Sequence, residues 1–277
     1  MNDAVMERDR LDCRMVNTAK RDGDTGSMGE TLSLSCYDVF KSYSAKGGLV
    51  LHGVSLEIDE GDSVALIGAN GSGKSTLLKS LVGLHPVDKG KVRVLGRELQ
   101  DGRLEQDVRR QIGFVFQNHG LVQRLSALSN VIHGRLGFPG SWRAWHQSIA
   151  PEHWRQEALE ALEAVGLGHR AAARADQLSG GQAQRVAIAR ALVRKPKLMI
   201  ADEPAASLDP KTGMDVMETF ASIAARSGTT LIYTTHDMAH ALRFAKRIVA
   251  LKSGRVALDV ASANLTEQEL QRFFHEA

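Results

Sequence analysis

Short apolar runs and alternating stretches recur along the chain from about residue 31. Leu32, Leu34 and Cys36 alternate with Ser33, Ser35 and Tyr37, and Val54, Leu56 and Ile58 alternate with Ser55 and Glu57. Each pattern predicts a strand with one buried face. Val64–Ile67, Lys91–Leu95, Gln111–Phe116, Leu198–Ala201 and Thr229–Thr235 predict further strands, with Glu60-Gly61-Asp62 turning into the first of these. Thr76–Val82, Leu125–Arg135, Glu152–Val165 and the stretch from Ser179 to Arg194 predict helices; Ala158, Leu162 and Val165 fall at i, i+4 and i+7. Asp209-Pro210 offers an N-cap and an N1 proline to another helix. Near the end, Ile248–Leu251 and Arg255–Leu258 predict a hairpin across Ser253-Gly254, giving the sheet an edge. A closing helix over 266–275 carries Leu270, Phe273 and Phe274, with no further domain expected after it. Strands separated by helices predict an α/β layered domain.

Two stretches break this rhythm. Residues 1–30 mix acids, bases, Asn, Thr, Gly and Ser without periodicity, which predicts a disordered tail, with Met28 as an alternative start. Residues 118–195 read as an inserted, all-helical piece with a loop at Gly137–Trp142. Trp142, Trp145 and Trp154 are all the tryptophan in the chain, and their expected role is packing within that piece.

Composition adds bounds rather than a function. The 277 residues are 43% hydrophobic and 24% charged, which is ordinary for a globular protein. A net charge of +3 gives no argument for a nucleic-acid or anionic-membrane partner. Cys13 and Cys36 cannot form a disulfide framework and suit a reducing compartment. No apolar run approaches the ~18 residues a bilayer span requires, and the first residues lack a signal peptide's apolar core. The expected location is therefore the cytoplasm.

The chemistry lies at strand ends. Between the strand at Val64–Ile67 and the helix from Thr76 runs Gly68-Ala-Asn-Gly-Ser-Gly-Lys-Ser75, a G-x-x-x-x-G-K-S loop. Its glycines let backbone N–H groups converge on an anion, and the helix dipole adds to them. Lys74 can reach β- and γ-phosphates, and the Ser75 hydroxyl can ligate Mg²⁺. Downstream, Leu178-Ser-Gly-Gly-Gln182 opens a helix; Ser179 and Gln182 have capping-box spacing, and the two glycines leave a second bare helix N-terminus. Asp202 and Glu203 follow the apolar strand Leu198–Ala201, the placement by which a phosphate-loop enzyme holds Mg²⁺ and polarises a water. Gln117 and His236 each follow a strand. Taken alone, a glutamine there is a solvated loop residue and a histidine a common surface one. Tyr43 between the first two strands reads either as strand packing or as a ligand contact.

These stations, in this order, resemble the ATP-binding subunit of an ATP-binding cassette (ABC) transporter, from about Thr31 to Ala277. Gly68–Ser75 is similar to the Walker A loop, Gln117 to the Q-loop and Leu178–Gln182 to the signature. Leu198–Glu203 is similar to Walker B, Ser207–Asp209 to the D-loop, His236 to the switch histidine and Tyr43 to the adenine-stacking aromatic. The resemblance implies a P-loop NTPase fold: a RecA-like core, an N-terminal antiparallel β subdomain and an inserted α-helical subdomain. It implies ATP and Mg²⁺, with Gly68, Asn70, Gly71, Ser72, Gly73, Lys74, Ser75 and Thr76 around the chain's own nucleotide. Ser75, Gln117 and Asp202 would hold the metal; Glu203, His236, Gln117 and Lys74 would serve catalysis. Ser179, Gly180, Gly181 and Gln182 would face the nucleotide of a second copy in a head-to-tail homodimer, and Asp209 of the D-loop would also bind nucleotide. The further partners implied are two membrane-spanning permease subunits and, indirectly, a periplasmic or lipid-anchored solute-binding protein, with no nucleic acid. The location implied is the cytoplasmic face of the inner membrane, where the groove beside Gln117 receives a coupling helix.

Within the family, Val122–Leu125, Asn130–Gly137, Ser141–Arg143, Arg174–Leu178 and Ala206–Pro210 resemble phosphonate-importer ATPases. His119-Gly120 and Ala183 depart from that pattern, the former beside the coupling groove; carriers of phosphite, hypophosphite or other phosphorus oxyanions are close alternatives. An exporter or lipoprotein-release ATPase shares the lone-subunit build and is disfavoured only by the helical-piece resemblance. A soluble ABC ATPase of DNA repair or translation would bring coiled coils or a second cassette, and the chain has neither heptads nor a repeat. The Ser-Gly-Gly-Gln station excludes a simple phosphate-loop kinase.

Overall fold

The computed structural model describes residues 32–43 and 48–275; the tail expected over 1–30 lies outside them. Ten strands are described: β1 (Leu32–Ser42), β2 (Leu49–Asp59), β3 (Ser63–Ile67), β4 (Lys89–Val94), β5 (Arg97–Glu98), β6 (Ile112–Val115), β7 (Leu198–Ala201), β8 (Thr230–Thr234), β9 (Arg247–Lys252) and β10 (Arg255–Ala261). The described helices are α1 (Lys74–Leu81), α2 (Gln106–Arg110), α3 (Ala127–Ile132), α4 (Glu152–Ala164), α5 (Gly180–Leu192), α6 (Pro210–Arg226), α7 (Met238–Phe244) and α8 (Glu267–His275).

Two sheets form. One is antiparallel, ordered β2-β1-β4-β5; the other is ordered β10-β9-β3-β8-β7-β6 and is parallel except for the β9–β10 hairpin. Strand alternation divides the core. Val64 and Leu66 of β3, with Ile200, Ile232 and Val249, pack with α1 and the antiparallel sheet. Ala65 and Ile67, with Met199, Tyr233 and Ile248, pack with the helices of the other face. A parallel sheet covered on both faces needs near-continuous apolar strands, and β7 reads Leu-Met-Ile-Ala with every residue buried. The parallel strands β3, β6, β7 and β8 carry their carboxyl ends to one edge, where ligands of such sheets bind.

The structure corrects several expectations. Ser33 and Ser35, read as a solvent face, are buried: β1 is paired on both sides, and the short Ser35 lies in register between the longer Glu57 of β2 and Arg93 of β4. The helix expected over 125–135 is α3 alone, capped by Ser126, and it tightens into a 3-10 turn at His133–Arg135. The cause is close packing: a Cβ on Gly134 would lie 2.2 Å from the Arg190 carbonyl oxygen of α5. Only Trp154 packs as expected, at 8% exposure; Trp142 and Trp145 are each 66% exposed. Both lie within a further 3-10 turn, Ser141–Trp145, which overlaps the end of the loop expected over Gly137–Trp142. Among the described residues no helix is long and apolar enough to cross a membrane.

Candidate nucleotide-binding site

The loop after β3 has its shape from glycines that no other residue could replace. At Gly73, which precedes α1, φ is +103° and a Cβ would meet Leu51 Cδ2 at 3.0 Å and the Val50 carbonyl at 3.1 Å. At Gly68 a Cβ would lie 2.4 Å from the Leu251 carbonyl. No side chain caps α1, so its first N–H groups are left for an anion. Ser72 is buried within the loop and its hydroxyl has no hydrogen-bond partner among the described residues. Lys74 is buried and donates to the carbonyls of Gly68 (2.9 Å) and Ala69 (3.2 Å). Desolvation pushes its pKa below the usual lysine value, opposed by Glu203 and Asp202.

Across the sheet, β7 delivers Asp202 and Glu203. Asp202 is 3% exposed, and its Oδ1 accepts from Ser75 Oγ at 2.7 Å and from Thr234 Oγ1 at 2.9 Å. Lys79 Nζ lies 3.7 Å from its other oxygen. Glu203 has φ +48°, an unusual conformation for a side-chain-bearing residue, and its N–H donates to Thr234 Oγ1 at 2.8 Å. Gln117 Nε2 donates to Glu203 Oε2 at 3.0 Å. A cleft of about 520 Å³ is lined by Asn70, Gly71, Gly73, Lys74, Ser75, Thr76, Gln117 and Glu203. A second, also about 520 Å³, takes in Gly68, Ala69, Asn70, Gln117, Glu203 and His236. Behind them a cavity of about 180 Å³ joins Glu203, Asp209, His236 and the buried His240.

Tyr43 stands at the cleft's rim, 57% exposed, with its hydroxyl 3.1 Å from Thr76 Oγ1 and its ring edge-on to His85 at 5.6 Å. Tyr43 is therefore tethered to the loop's helix and is not part of the core. Ser75 and Asp202 fit a magnesium ion: hard oxygen donors beside a phosphate cradle, with no group of three His, Cys, Asp or Glu among the described residues to form an all-protein cage. Gln117 enters the cleft through Glu203, not through the Ser75–Asp202 pair.

The second bare helix start of the sequence lies elsewhere. Ser179 and Gln182 form a complete capping box: Ser179 Oγ accepts from the Gln182 N–H (3.3 Å), and Gln182 Oε1 accepts from the Ser179 N–H (3.1 Å). A Cβ on Gly181 would lie 2.3 Å from Thr212 Cγ2 and one on Gly180 3.2 Å from Leu208, so α5 starts against the Asp209-capped head of α6. Ser179, Gly180, Gly181 and Gln182 line none of the three cavities. Sequence reasoning missed Thr234, whose one hydroxyl joins Asp202 to Glu203, and also Lys79 and His85. The only signal for Thr234 was its place at a strand end one residue before Thr235-His236.

The ABC transporter family model matches residues 51–206. The chain is 48% identical over 241 residues to phosphonates import ATP-binding protein PhnC 2 of Pseudomonas syringae pv. syringae (strain B728a), covering 84% of this chain and 86% of that one. It is 45% identical over 231 residues to phosphonates import ATP-binding protein PhnC of Escherichia coli (strain K12), covering 81% and 88%. Among solved structures, a dimeric post-hydrolysis state of an ATP-binding cassette bound to ADP and Pi superposes with TM-score 0.70 at 36% identity, covering 83% of this chain and 98% of that one. The cbiO1 component of an ABC transporter complex from Clostridium perfringens superposes with TM-score 0.75 at 29% identity, covering 87% and 94%. The fold is accordingly that of an ABC ATPase, with its antiparallel N-terminal sheet and helical parts. A phosphate loop, a capped Ser-Gly-Gly-Gln helix and relatives close to half identical across most of both chains lead to one statement: this chain belongs to the ABC transporter family, as an ATP-binding protein.

Proposed function

We propose that the chain is the ATP-hydrolysing subunit of an importer for phosphonates or a related phosphorus oxyanion, acting as a head-to-tail pair of copies. The observation that carries the hydrolytic part is the network Ser75–Asp202–Thr234–Glu203–Gln117, which gathers a metal pair and a water-polarising carboxylate at one cleft. The names of the relatives supply the solute class. Residues 31–277 act as one ATP-binding domain, with 118–195 as its helical subdomain.

In this reading Tyr43 stacks on adenine, and the glycine loop, Ser72 and Thr76 receive the phosphates. Lys74 leaves the carbonyls of Gly68 and Ala69 for the β- and γ-phosphates, its charge restored by the anion it meets. Ser75 and Asp202 hold Mg²⁺, which when bound neutralises phosphate charge. Glu203 orients a water and takes its proton as the oxygen attacks the γ-phosphorus; the bond to the bridging oxygen of ADP breaks, and the bridging electrons leave with ADP. Gln117, bonded to Glu203, sets that carboxylate's direction, and His236 faces the γ-phosphate across the second cleft. Ser179, Gly180, Gly181 and Gln182 meet the nucleotide of the other copy, which accords with their absence from this chain's own cavities, and Asp209, which lines the cavity beside Glu203 and His236, is a further nucleotide-binding residue. Closure on ATP and opening after hydrolysis drive two permease subunits, a differential-affinity switch. The chain works at the cytoplasmic face of the membrane, and a solute-binding protein outside selects the solute.

The test is genetic. A strain lacking this chain should fail to grow on a phosphonate or reduced phosphorus compound as sole phosphorus source, grow normally on phosphate, and stay unrescued by Glu203→Gln. Unimpaired growth on every such compound, with a defect on an unrelated solute, rejects the solute class.

A further inference from the structure

Arg190 sits near the end of α5, the helix that Ser179–Gln182 begin. Its guanidinium donates twice, from Nη1 to the Gly120 carbonyl at 2.6 Å and from Nη2 to the His119 carbonyl at 2.6 Å. Those carbonyls lie three and two residues beyond Gln117, on the loop whose glutamine holds Glu203. No carboxylate pairs with Arg190 among the described residues; two backbone oxygens are its only acceptors. Burial pushes its pKa below the usual arginine value, so a cation has been desolvated for these two bonds. A planar fork meeting two successive carbonyls fixes orientation as well as distance, which a single ammonium cannot do. The backbone at the same residue is also gripped, since Gly134 of the His133–Arg135 turn rests on the Arg190 carbonyl. Arg190, Gly120 and Gly134 together line a groove of about 760 Å³ whose floor includes Phe114 and Phe116.

We infer that Arg190 is a positioning residue: it locks the Gln117 loop to the helix that Ser179–Gln182 begin, so that the two stations move as one body. This rests on the ATPase reading above. One clamp then links the residue that aims this chain's Glu203 to the residues that face the other copy's nucleotide. It touches neither nucleotide. Lys74, Ser75 and Tyr43 lie outside the clamp, so nucleotide affinity is independent of it while the rate of hydrolysis is not.

The experiment uses the purified full chain with Arg190→Lys, Arg190→Met, Gly120→Ala and the Arg190→Lys/Gly120→Ala pair. Steady-state turnover with MgATP, ATP affinity of each protein and the melting temperature are measured together. Gly120 has φ +57°, which strains any side chain, and a Cβ there would make ordinary contact with the Asn118 carbonyl oxygen (3.5 Å) and Arg190 Nη2 (3.7 Å), so alanine disturbs the loop at the clamp without a clash. Expected is kcat about tenfold lower in Arg190→Lys and lower still in Arg190→Met, with KM and ATP affinity within about twofold of the parent. Gly120→Ala should lose about threefold, and the double variant should match Arg190→Lys alone, because both act through one contact. Turnover of Arg190→Lys within about twofold of the parent, additive losses in the pair, or a fall in ATP affinity as large as that in kcat would each overturn the clamp. Should Arg190→Lys fail to fold, Gly120→Ala carries the test by the same criteria. A parent chain that binds ATP without hydrolysing it overturns instead the reading beneath the clamp.

Discussion

Replacing Thr234 by valine keeps the side chain's shape and removes one oxygen. Thr234 is fully buried at the end of β8, and its hydroxyl donates to Asp202 Oδ1 at 2.9 Å while accepting the Glu203 N–H at 2.8 Å. The bond to a carboxylate contributes about 1.5–3 kcal/mol and the neutral one about 0.5–1.5 kcal/mol. Asp202 keeps Ser75 as a donor, so the loss in unfolding free energy is expected near 2–4 kcal/mol rather than at the upper limit of the sum. Activity should suffer separately. Glu203 stands at φ +48°, a conformation that costs about 1–2 kcal/mol and is held partly by this bond. Releasing it lets the carboxylate swing away from Gln117, and a loss of about 1.4 kcal/mol of positioning is tenfold in turnover. Urea unfolding and MgATP turnover, measured at a concentration and temperature where Thr234→Val remains folded, separate the two effects. Thr234→Ser keeps the hydroxyl and should restore most of both. A valine variant as stable and as fast as the parent would refute the assignment of Thr234 as the tie between Asp202 and Glu203.

Other perturbations have equally definite outcomes. Glu203→Gln should bind ATP with little change and hydrolyse it slower by about two orders of magnitude or more, the contribution of a general base; normal turnover would exclude Glu203 from that role. Tyr43→Ala should raise KM for ATP about tenfold with kcat little altered, and Tyr43→Phe should stay near the parent because stacking survives loss of the Thr76 contact. Stability should decline on the acid side. Desolvation lowers the His240 pKa below its ordinary 6.5, against Asp237, so below about that pH the unfolded chain takes up a proton that the folded chain resists. His240→Leu should flatten part of that decline between pH 7 and 5 in thermal melts; an unchanged pH profile would remove His240 as a contributor.

How much was legible in the sequence depends on whether a residue announces itself locally. The phosphate loop, the Ser179 capping box and the Asp209-Pro210 helix start are short-range patterns; α5 and α6 begin where those patterns place them, and α1 begins two residues ahead of the expected Thr76, at Lys74 inside the loop motif. Apolar runs such as Leu198–Ala201 lie in a sheet covered on both faces, so their lack of alternation was itself informative. What failed was what depends on neighbours distant in the chain. Ser33 and Ser35 alternate correctly yet are buried in a strand paired on both sides, where cross-strand neighbours such as Glu57 and Arg93 flank Ser35. Trp142 and Trp145 are apolar and nevertheless face outward, and Leu125–Arg135 has helical spacing that Gly134's approach to Arg190 cuts short. Thr234 carries its role only through partners 32 and 31 residues away, which no local window contains.

The central claim is that ATP is shared, gripped by Lys74 of one copy and by Ser179 of the other. Sedimentation velocity on the Glu203→Gln chain with ATP and Mg²⁺ tests it most directly, run beside the same chain carrying Ser179→Phe. The account predicts a dimer in the first sample, monomer when nucleotide is withheld, and monomer in the second sample even with nucleotide. A first sample that stays monomeric, or a dimer indifferent to the change at Ser179, contradicts it.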